Sequence, residues 1–405
     1  MSRAEGIDMI GDQILRRTIV LVEPICRGSR LQILANTLSA LRGRADVILV
    51  TRRDYQTPHF HELVDAENLT PRVVAVETDL GGAWMRNLSR AEFALFVQAL
   101  KGLEAELAAR GRYDLVFMAL DDYLKAYALA ALELRSSLRH AVIRCVKYRV
   151  EYLFFIRPGA LVRGAVLRAM TRWALFASGA RLITFDERLS QQSAAYCAGL
   201  LPDPWFGPFS PELRADGRAL LGVAPTDFVM LSLGKQDRRK GIDFLIDVFP
   251  QAARDPHVKL AVVGTIAAEF AQPFAELQRN FPTQIVHVNR FVPESDLPKY
   301  FAATDAFLLP YSEDFTATSG TLARAAASGV PVLATHHGLV GYRVKAYGLG
   351  AVFGVGDHAT FIEALQTLRS RGAAQQDATR GAALEFADRC SLPRFEAAMR
   401  AALSV

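Results

Sequence analysis

Lys235 and Lys240 stand in the stretch LSLGKQDRRKGIDFLIDVF, Leu231 to Phe249, where a strand reads as ending at Gly234 and Lys240-Gly241 as opening an amphipathic helix. Two ammonium groups on one loop at a strand's carboxyl end can stabilise a diphosphate and the charge it gains as it leaves. A solvated basic turn is the plainer role of the same residues. The loop is not a P-loop, because the order G-x-x-x-x-G-K-[ST] is absent. A second stretch, PYSEDFTATSGTLARAAASGVPVLAT from Pro310 to Thr335, offers the other half of an anion site. Thr318 or Ser319 is placed to cap a helix that runs to about Ser328. Gly320, followed by Thr321, lets a phosphate approach the first N–H groups of that helix, whose dipole favours negative charge. A cap alone explains Ser319; a cap together with the two-lysine loop makes a diphosphate clamp.

Elements that would position these residues recur along the whole chain. Thr18–Val22, Asp46–Val50, Arg72–Val76, Tyr113–Ala119, Ala141–Val150 and Arg181–Phe185 read as strands, with helices over Arg30–Leu41, Ser89–Arg110 and Arg188–Ala198. Ser89 with Glu92 has the spacing of a capping box. The proline- and glycine-rich AGLLPDPWFGPFSPE, residues 198–212, interrupts the rhythm and reads as a linker. A second alternation follows, with strands at Phe228–Leu233, Lys259–Val263, Gln284–Val288, Ala306–Leu309, Val332–Ala334 and Ala351–Phe353. Strands separated by helices pair in parallel with helices on both faces. The expected fold class is therefore α/β, with two doubly wound Rossmann-like domains facing across a cleft and ligands beyond the carboxyl ends of the strands. The expected boundaries are 1–205 for an acceptor-binding domain, 206–385 for a nucleotide-sugar-binding domain and 386–405 for a C-terminal helix.

The chain has 405 residues, enough for two domains of about 200 each, and a net charge of +5. Nine basic residues lie between Arg139 and Arg181 against one acid, Glu151, interleaved with apolar side chains. Such a span can face anionic headgroups or anionic substrates, or line a cleft with solvated arginines. Aromatic spacing there does not suit nucleic acid. No apolar run is long enough to cross a membrane, and the first residues make a poor signal peptide. The widely separated Cys26, Cys145, Cys197 and Cys390 read as reduced, mostly buried thiols of a cytoplasmic protein.

The strand–GK….KG, the VVG at Val262-Val263-Gly264, VNRFVPESDLPKYFAATDAFLLPY and SG…ARAAASGVPVLAT together resemble the C-terminal half of retaining GT-B glycosyltransferases, the family that includes bacterial cell-surface polysaccharide and lipid-linked sugar transferases. The resemblance covers residues 226–370 well and the rest in outline. It implies that Gly234, Lys235 and Lys240 meet the donor's diphosphate and that Arg290, Phe291 and Val292 hold the base. It further implies that Thr318, Ser319, Gly320 and Thr321 hold the distal phosphate, and that Gly28 and Arg30, after the first strand, touch the donor phosphates. Asp121 and Asp122, after the fourth strand, fall near the reaction centre; a helix N-cap is the plainer role of Asp122 and a metal pair the weaker one. His336 and His337 read as ordinary polar loop residues. The family's E-x7-E glutamates are replaced by Thr316 and Arg324, with Glu313 the nearest acid. A subset of the family reads PY…SG without the second glutamate, as here.

The implied function is retaining, metal-independent transfer of a sugar from a nucleotide-diphosphate donor to a hydroxyl of a glycan or lipid-linked acceptor, in surface polysaccharide or glycoconjugate synthesis. The donor is a substrate, and neither cofactor nor metal is called for. The expected place is cytoplasmic, with a peripheral position on an anionic inner-membrane face through residues 139–181 as the extension of that reading. A sugar-nucleotide epimerase on the same scaffold and a non-catalytic sugar-nucleotide-binding protein are the alternatives. A dinucleotide dehydrogenase is disfavoured, since no G-x-G-x-x-G follows a strand.

Overall fold

The protein is described here from a computed structural model over residues 17–25, 29–55, 60, 61, 64, 69–78, 88–204, 209–293 and 295–405. Cys26 and Gly28 lie outside the described residues. In chain order the first elements are β1 (Arg17–Glu23), α1 (Ser29–Leu41), β2 (Ala45–Arg52), β3 (Arg72–Val76), α2 (Arg90–Ala109), β4 (Tyr113–Phe117), α3 (Leu124–Ser137), β5 (Ala141–Lys147), α4 (Leu161–Ser178), β6 (Arg181–Thr184), α5 (Glu187–Gln192) and β7 (Cys197–Leu200). They build a seven-stranded sheet of order β3-β2-β1-β4-β5-β6-β7. The interior strand β1 carries Ile19, Val20, Leu21 and Val22 with no exposure at all, the mark of a strand covered on both faces.

The remaining elements are α6 (Arg214–Leu221), β8 (Phe228–Leu233), α7 (Ile242–Ala252), β9 (Val258–Val263), α8 (Ala268–Asn280), β10 (Ile285–Val288), α9 (Leu297–Ala302), β11 (Ala306–Leu309), α10 (Gly320–Ala327), β12 (Val332–Thr335), α11 (Gly338–Ala346), β13 (Gly350–Phe353), α12 (His358–Arg369), α13 (Ala373–Arg389) and α14 (Leu392–Leu403). Their strands form a six-stranded sheet of order β10-β9-β8-β11-β12-β13. Period-two alternation splits its side chains between two cores. Leu231, Leu233, Val263, Phe307 and Leu309 pack with Tyr300, Leu322, Val344 and Phe386 on one face. Met230, Leu260, Val262, Ala306 and Leu308 pack with Leu245, Phe249, Phe274 and Phe361 on the other. The register in this sheet is parallel throughout, with Leu233 beside Val263 and Leu309 beside Ala334. The loops after β8, β9, β11 and β12 therefore gather at one edge. The described chain divides into two compact units, one within residues 1–146, 170–181 and 403–405, the other within 147–169 and 182–402.

The expected strands and helices are present, with instructive differences at their ends. Ser89 caps α2 and Glu92 reaches back to the Ser89 N–H, completing the capping box. The helix expected to reach Ala198 stops at Gln192, and Cys197–Leu200 instead pairs beside β6 as an edge strand. Nothing branched at Cβ marks that strand; the open edge of β6 decides it, and Gly199 admits Ala402 of α14 so closely that a Cβ would sit 2.5 Å from the alanine's own. The strand expected through Ala119 ends at Phe117, where the chain turns through a left-handed Ala119 at φ 49°.

Four members of the basic span are internal. Arg144 pairs with Asp114, Lys147 is buried with its ammonium over the Tyr152 ring, Arg157 pairs with Glu151, and Arg168 donates to the Tyr152 carbonyl. Arg139, Arg149, Arg163, Arg172 and Arg181 are exposed.

Candidate functional site

The loop after β8 is built by close backbone approach. Gly234 turns the chain at φ +93°, and Gln236, fully buried, donates from its amide to the Gly234 carbonyl at 2.9 Å while accepting from the Ser232 hydroxyl. Gly264, at the end of β9, lies so near that a Cβ there would be 2.2 Å from the Gly234 oxygen. Gly241 is fixed in the same way: its φ is +75° and a Cβ would stand 1.8 Å from the Pro310 carbonyl oxygen. These contacts press the start of α7 against the end of β11. Asp237 caps the intervening turn by accepting the Lys240 N–H at 3.0 Å.

That turn aims Lys240 back over the strand end. The half-buried side chain donates from Nζ to the Leu233 carbonyl at 3.3 Å, and the ammonium lies 5.5 Å from the centre of the Tyr311 ring. Lys235 points the other way in exposure: it is open to solvent. Tyr311 in turn is buried, and its hydroxyl meets Ser319 Oγ at 2.8 Å and Thr321 Oγ1 at 3.2 Å. Ser319 caps α10 by accepting the Leu322 N–H, and Gly320 beside it is exposed with open space where a Cβ would be. One ring thus links the lysine loop to the start of a helix. The sequence offered no signal for it, because a tyrosine ending an apolar strand reads as core.

Thr318 faces elsewhere. Its hydroxyl donates to Asp203 Oδ2 at 2.6 Å and accepts from Arg343 Nη1 at 3.0 Å. Glu313 and Asp314 form the exposed tip of a turn closed by the Phe315 N–H donating to the Ser312 carbonyl. Of the three residues expected at a base, Phe291 is 84 % exposed, Arg290 lies 3.8 Å from Asp296, and Val292 is buried in the core. His337 donates from Nε2 to the Ser312 carbonyl at 2.9 Å; burial, with Arg157 nearby, holds its imidazole below the ordinary value and so neutral. His336 lies 3.2 Å from the Phe353 carbonyl.

Residues 227–371 match the family described as glycosyl transferases group 1. The match spans 145 of the chain's 405 residues and supports a glycosyltransferase. No curated protein matches the chain in sequence. Among solved structures it is similar to Anabaena Alr3699/HepE in complex with UDP, with a TM-score of 0.69 and 16 % identity over 96 % of this chain and 99 % of that one. It is also similar to sucrose-phosphate synthase from Thermosynechococcus elongatus (TM-score 0.62, 18 % identity, 96 % and 97 % covered). A third, the lipopolysaccharide-biosynthesis glycosyltransferase WaaG, has a TM-score of 0.59 and 15 % identity, with 95 % and 98 % covered. The two parallel-stranded α/β sheets are those of the GT-B fold.

Within the glycosyltransferase domain the half-buried Arg324 acts on Asp203 rather than standing idle. Burial pushes the Asp203 carboxyl above its ordinary value, and the Thr318 hydroxyl, Arg343 and Arg324 pull against it. The guanidinium at position 324, where the resemblance implies a glutamate, therefore serves a carboxylate inside the expected linker, residues 198–212.

The other unit carries the remaining expected residues. Arg30, on α1, pairs with Asp122 at 2.6 Å, and Asp122 is buried after β4 while Asp121 is half-exposed. Asp122 is not the cap of α3: Tyr123 holds that position with no side-chain cap. Beside this pair stands a residue that sequence reasoning passed over. Glu23 ends β1 with 1 % exposure and accepts the Ile25 N–H at 2.8 Å. Burial pushes its carboxyl from the ordinary 4.5 up to about 8, with Arg30 opposing and Asp122 adding to the rise. Glu23 is therefore protonated at neutral pH in the folded protein and ionised in the unfolded chain. Its contribution to stability is complete below about pH 4.5 and is lost as pH rises through about 8. Glu23→Gln should flatten that decline by about 5 kcal/mol, read from denaturant unfolding at the two ends of the window. An unchanged pH slope in the variant would show that Glu23 is not the group responsible.

Proposed function

We propose that the protein is a retaining, metal-independent glycosyltransferase that moves a sugar from a nucleoside-diphosphate donor to a hydroxyl of a glycan or lipid-linked acceptor. The observation that carries this is the convergence of Lys240, Tyr311 and the Ser319 cap at one edge of the six-stranded sheet. The Lys240 ammonium and the first-turn N–H groups of α10 place positive charge where a departing diphosphate needs it. Exposed Lys235 is assigned to the same diphosphate, with Gly234 letting it approach the strand end, and Gly320 and Thr321 to the distal phosphate. Arg290 and Phe291 are assigned to the base, with Val292 anchoring their loop in the core. Arg30 is assigned to the donor phosphates, and Asp121 and Asp122 to the neighbourhood of the reaction centre. As the bond from the anomeric carbon to the diphosphate oxygen breaks, that carbon becomes oxocarbenium-like, and the acceptor hydroxyl attacks the face from which the nucleotide departs while its proton passes to the departing diphosphate. The UDP in the HepE structure makes UDP the first nucleotide to try.

The test is thermal shift against UDP, GDP and ADP and their glucose conjugates, followed by release of free nucleoside diphosphate from the conjugate that binds. Stabilisation by one nucleotide family with slow release of its diphosphate supports the proposal. Binding without release over prolonged incubation would favour a non-catalytic sugar-nucleotide protein, and no binding at all would sink both.

The acceptor is assigned to an anionic membrane surface on the cytoplasmic side, with α4 as the contact. Among the described residues no helix is long and apolar enough to cross a membrane. On α4, Val162, Val166, Trp173 and Phe176 are all exposed, by 80 %, 58 %, 48 % and 76 %. Their spacing of four, seven and three residues keeps them on one stripe of the helix. Arg163 and Arg172 flank it, and the helix contains no acid. An apolar stripe with cationic edges fits a headgroup region. The protein should float with vesicles rich in anionic phospholipid at low salt, less so at high salt, and Val166→Asp with Phe176→Asp should abolish flotation. Wild-type protein remaining in the soluble fraction at low salt would remove α4 as a membrane contact.

A further inference from the structure

The turn that carries Glu313 is held from outside its own sheet. Arg157 donates from Nη1 to the Glu313 backbone carbonyl and from Nε to Glu151 Oε1 at 3.1 Å. Glu151 is buried, and its other oxygen accepts from Arg188 Nη2 at 3.1 Å. Arg188 is locked in a fork with Asp186, itself 1 % exposed, through Nε to Oδ1 at 2.8 Å and Nη2 to Oδ2 at 2.7 Å. Its guanidinium also lies over the Phe154 and Tyr342 rings and donates to the Gly338 carbonyl at 3.4 Å. His337 meanwhile ties the loop after β12 to the Ser312 carbonyl. A buried ion-pair chain therefore fastens the two loops that leave β11 and β12, and Arg157 is its reaching end.

We propose that Arg157 is a positioning residue that fixes the Ser312–Phe315 turn for the donor's sugar ring, anchored through Glu151 and Arg188; the proposal rests on the sugar-nucleotide reading above. Two charges in the network have a fixed fork partner already, so the arm is pre-organised and spends little ordering itself on binding. It supplies the rigidity of this turn in a chain whose paired glutamates are Thr316 and Arg324. The nucleotide and diphosphate contacts lie on other residues, so the arm should matter to the sugar and not to the nucleotide.

The experiment compares wild type, Arg157→Ala and Arg157→Lys by titration calorimetry. The probes are UDP, GDP and ADP alone and as their glucose conjugates. Arg157→Ala should weaken the sugar conjugate about tenfold, the loss expected for one charge-assisted hydrogen bond, while its affinity for the parent diphosphate stays at the wild-type value. Arg157→Lys, which can donate to Glu313 or Glu151 but not hold both in a fork, should fall between. If Arg157→Ala does not fold, Arg157→Lys carries the same comparison. Equal weakening of conjugate and diphosphate, or no weakening of either, would overturn the positioning role. Wild-type protein that binds none of the six ligands would overturn the sugar-nucleotide reading itself, and this proposal with it.

Discussion

Replacing Arg343 with alanine should destabilise the protein by about 3–5 kcal/mol, the cost of breaking a buried ion pair by removing one partner. Arg343 is 5 % exposed on α11. It donates to both oxygens of Glu187, at 3.2 and 2.9 Å, to the Phe185 carbonyl at 2.6 Å and to the Thr318 hydroxyl at 3.0 Å. Glu187 is itself buried, so the variant strands a carboxylate away from water with, among the described residues, the Tyr347 hydroxyl at 3.3 Å left to satisfy it. Arg343→Lys keeps the charge but not the fork, and should lose roughly half as much. Pairing Arg343→Met with Glu187→Leu should recover much of the loss, because a buried ion pair is often replaceable by apolar side chains. Denaturant midpoints of the four proteins measure all of this. An Arg343→Ala protein as stable as wild type would mean that Glu187 is not held in the interior by Arg343.

The second large effect is on activity. Lys240→Ala should lower kcat/KM for the sugar nucleotide by about 10²-fold to 10³-fold, the scale for removing one charge-stabilising donor, and should abolish stabilisation by the parent nucleoside diphosphate. Lys240→Met is the sharper variant, since it keeps the stem against Tyr311 and the Leu233 carbonyl loses only an ammonium donor. Stability of Lys240→Met should stay within about 1 kcal/mol of wild type, because a half-buried hydrogen bond contributes little net. Unaltered kinetics in Lys240→Met would remove the diphosphate role from Lys240 and leave only its contact with Tyr311.

The two sheets were legible because every strand but β7 is a largely apolar run between helical periods, and the second set was placed almost residue for residue at Phe228–Leu233 and Ala306–Leu309. Caps were legible too: Ser89 and Ser319 are small hydroxyls at the residue before a periodic stretch, and each accepts a first-turn N–H, with Ser319 rather than Thr318 taking the second cap. Edge strand β7 was not, because Cys197–Leu200 owes its conformation to β6 and to Ala402, far away in sequence. Long-range partners hid the rest. Arg157 and Glu313 are 156 residues apart, as are Arg343 and Glu187, and no local pattern signals either pair. Arg144 and Lys147, counted toward a basic surface, are drawn inward by Asp114 and the Tyr152 ring. Glu23 escaped notice because a glutamate at a strand end reads as solvated, and only burial gives it a proton to hold.

A crystal structure of the protein with a bound nucleoside-diphosphate sugar tests the central claim most directly. The diphosphate should lie within hydrogen-bond distance of Lys240 Nζ and of the N–H groups that open α10 at Gly320, with the base against Phe291 and the sugar at the Glu313 turn. A diphosphate seated away from Lys240 and α10, or a nucleotide held by the seven-stranded sheet alone, would contradict it.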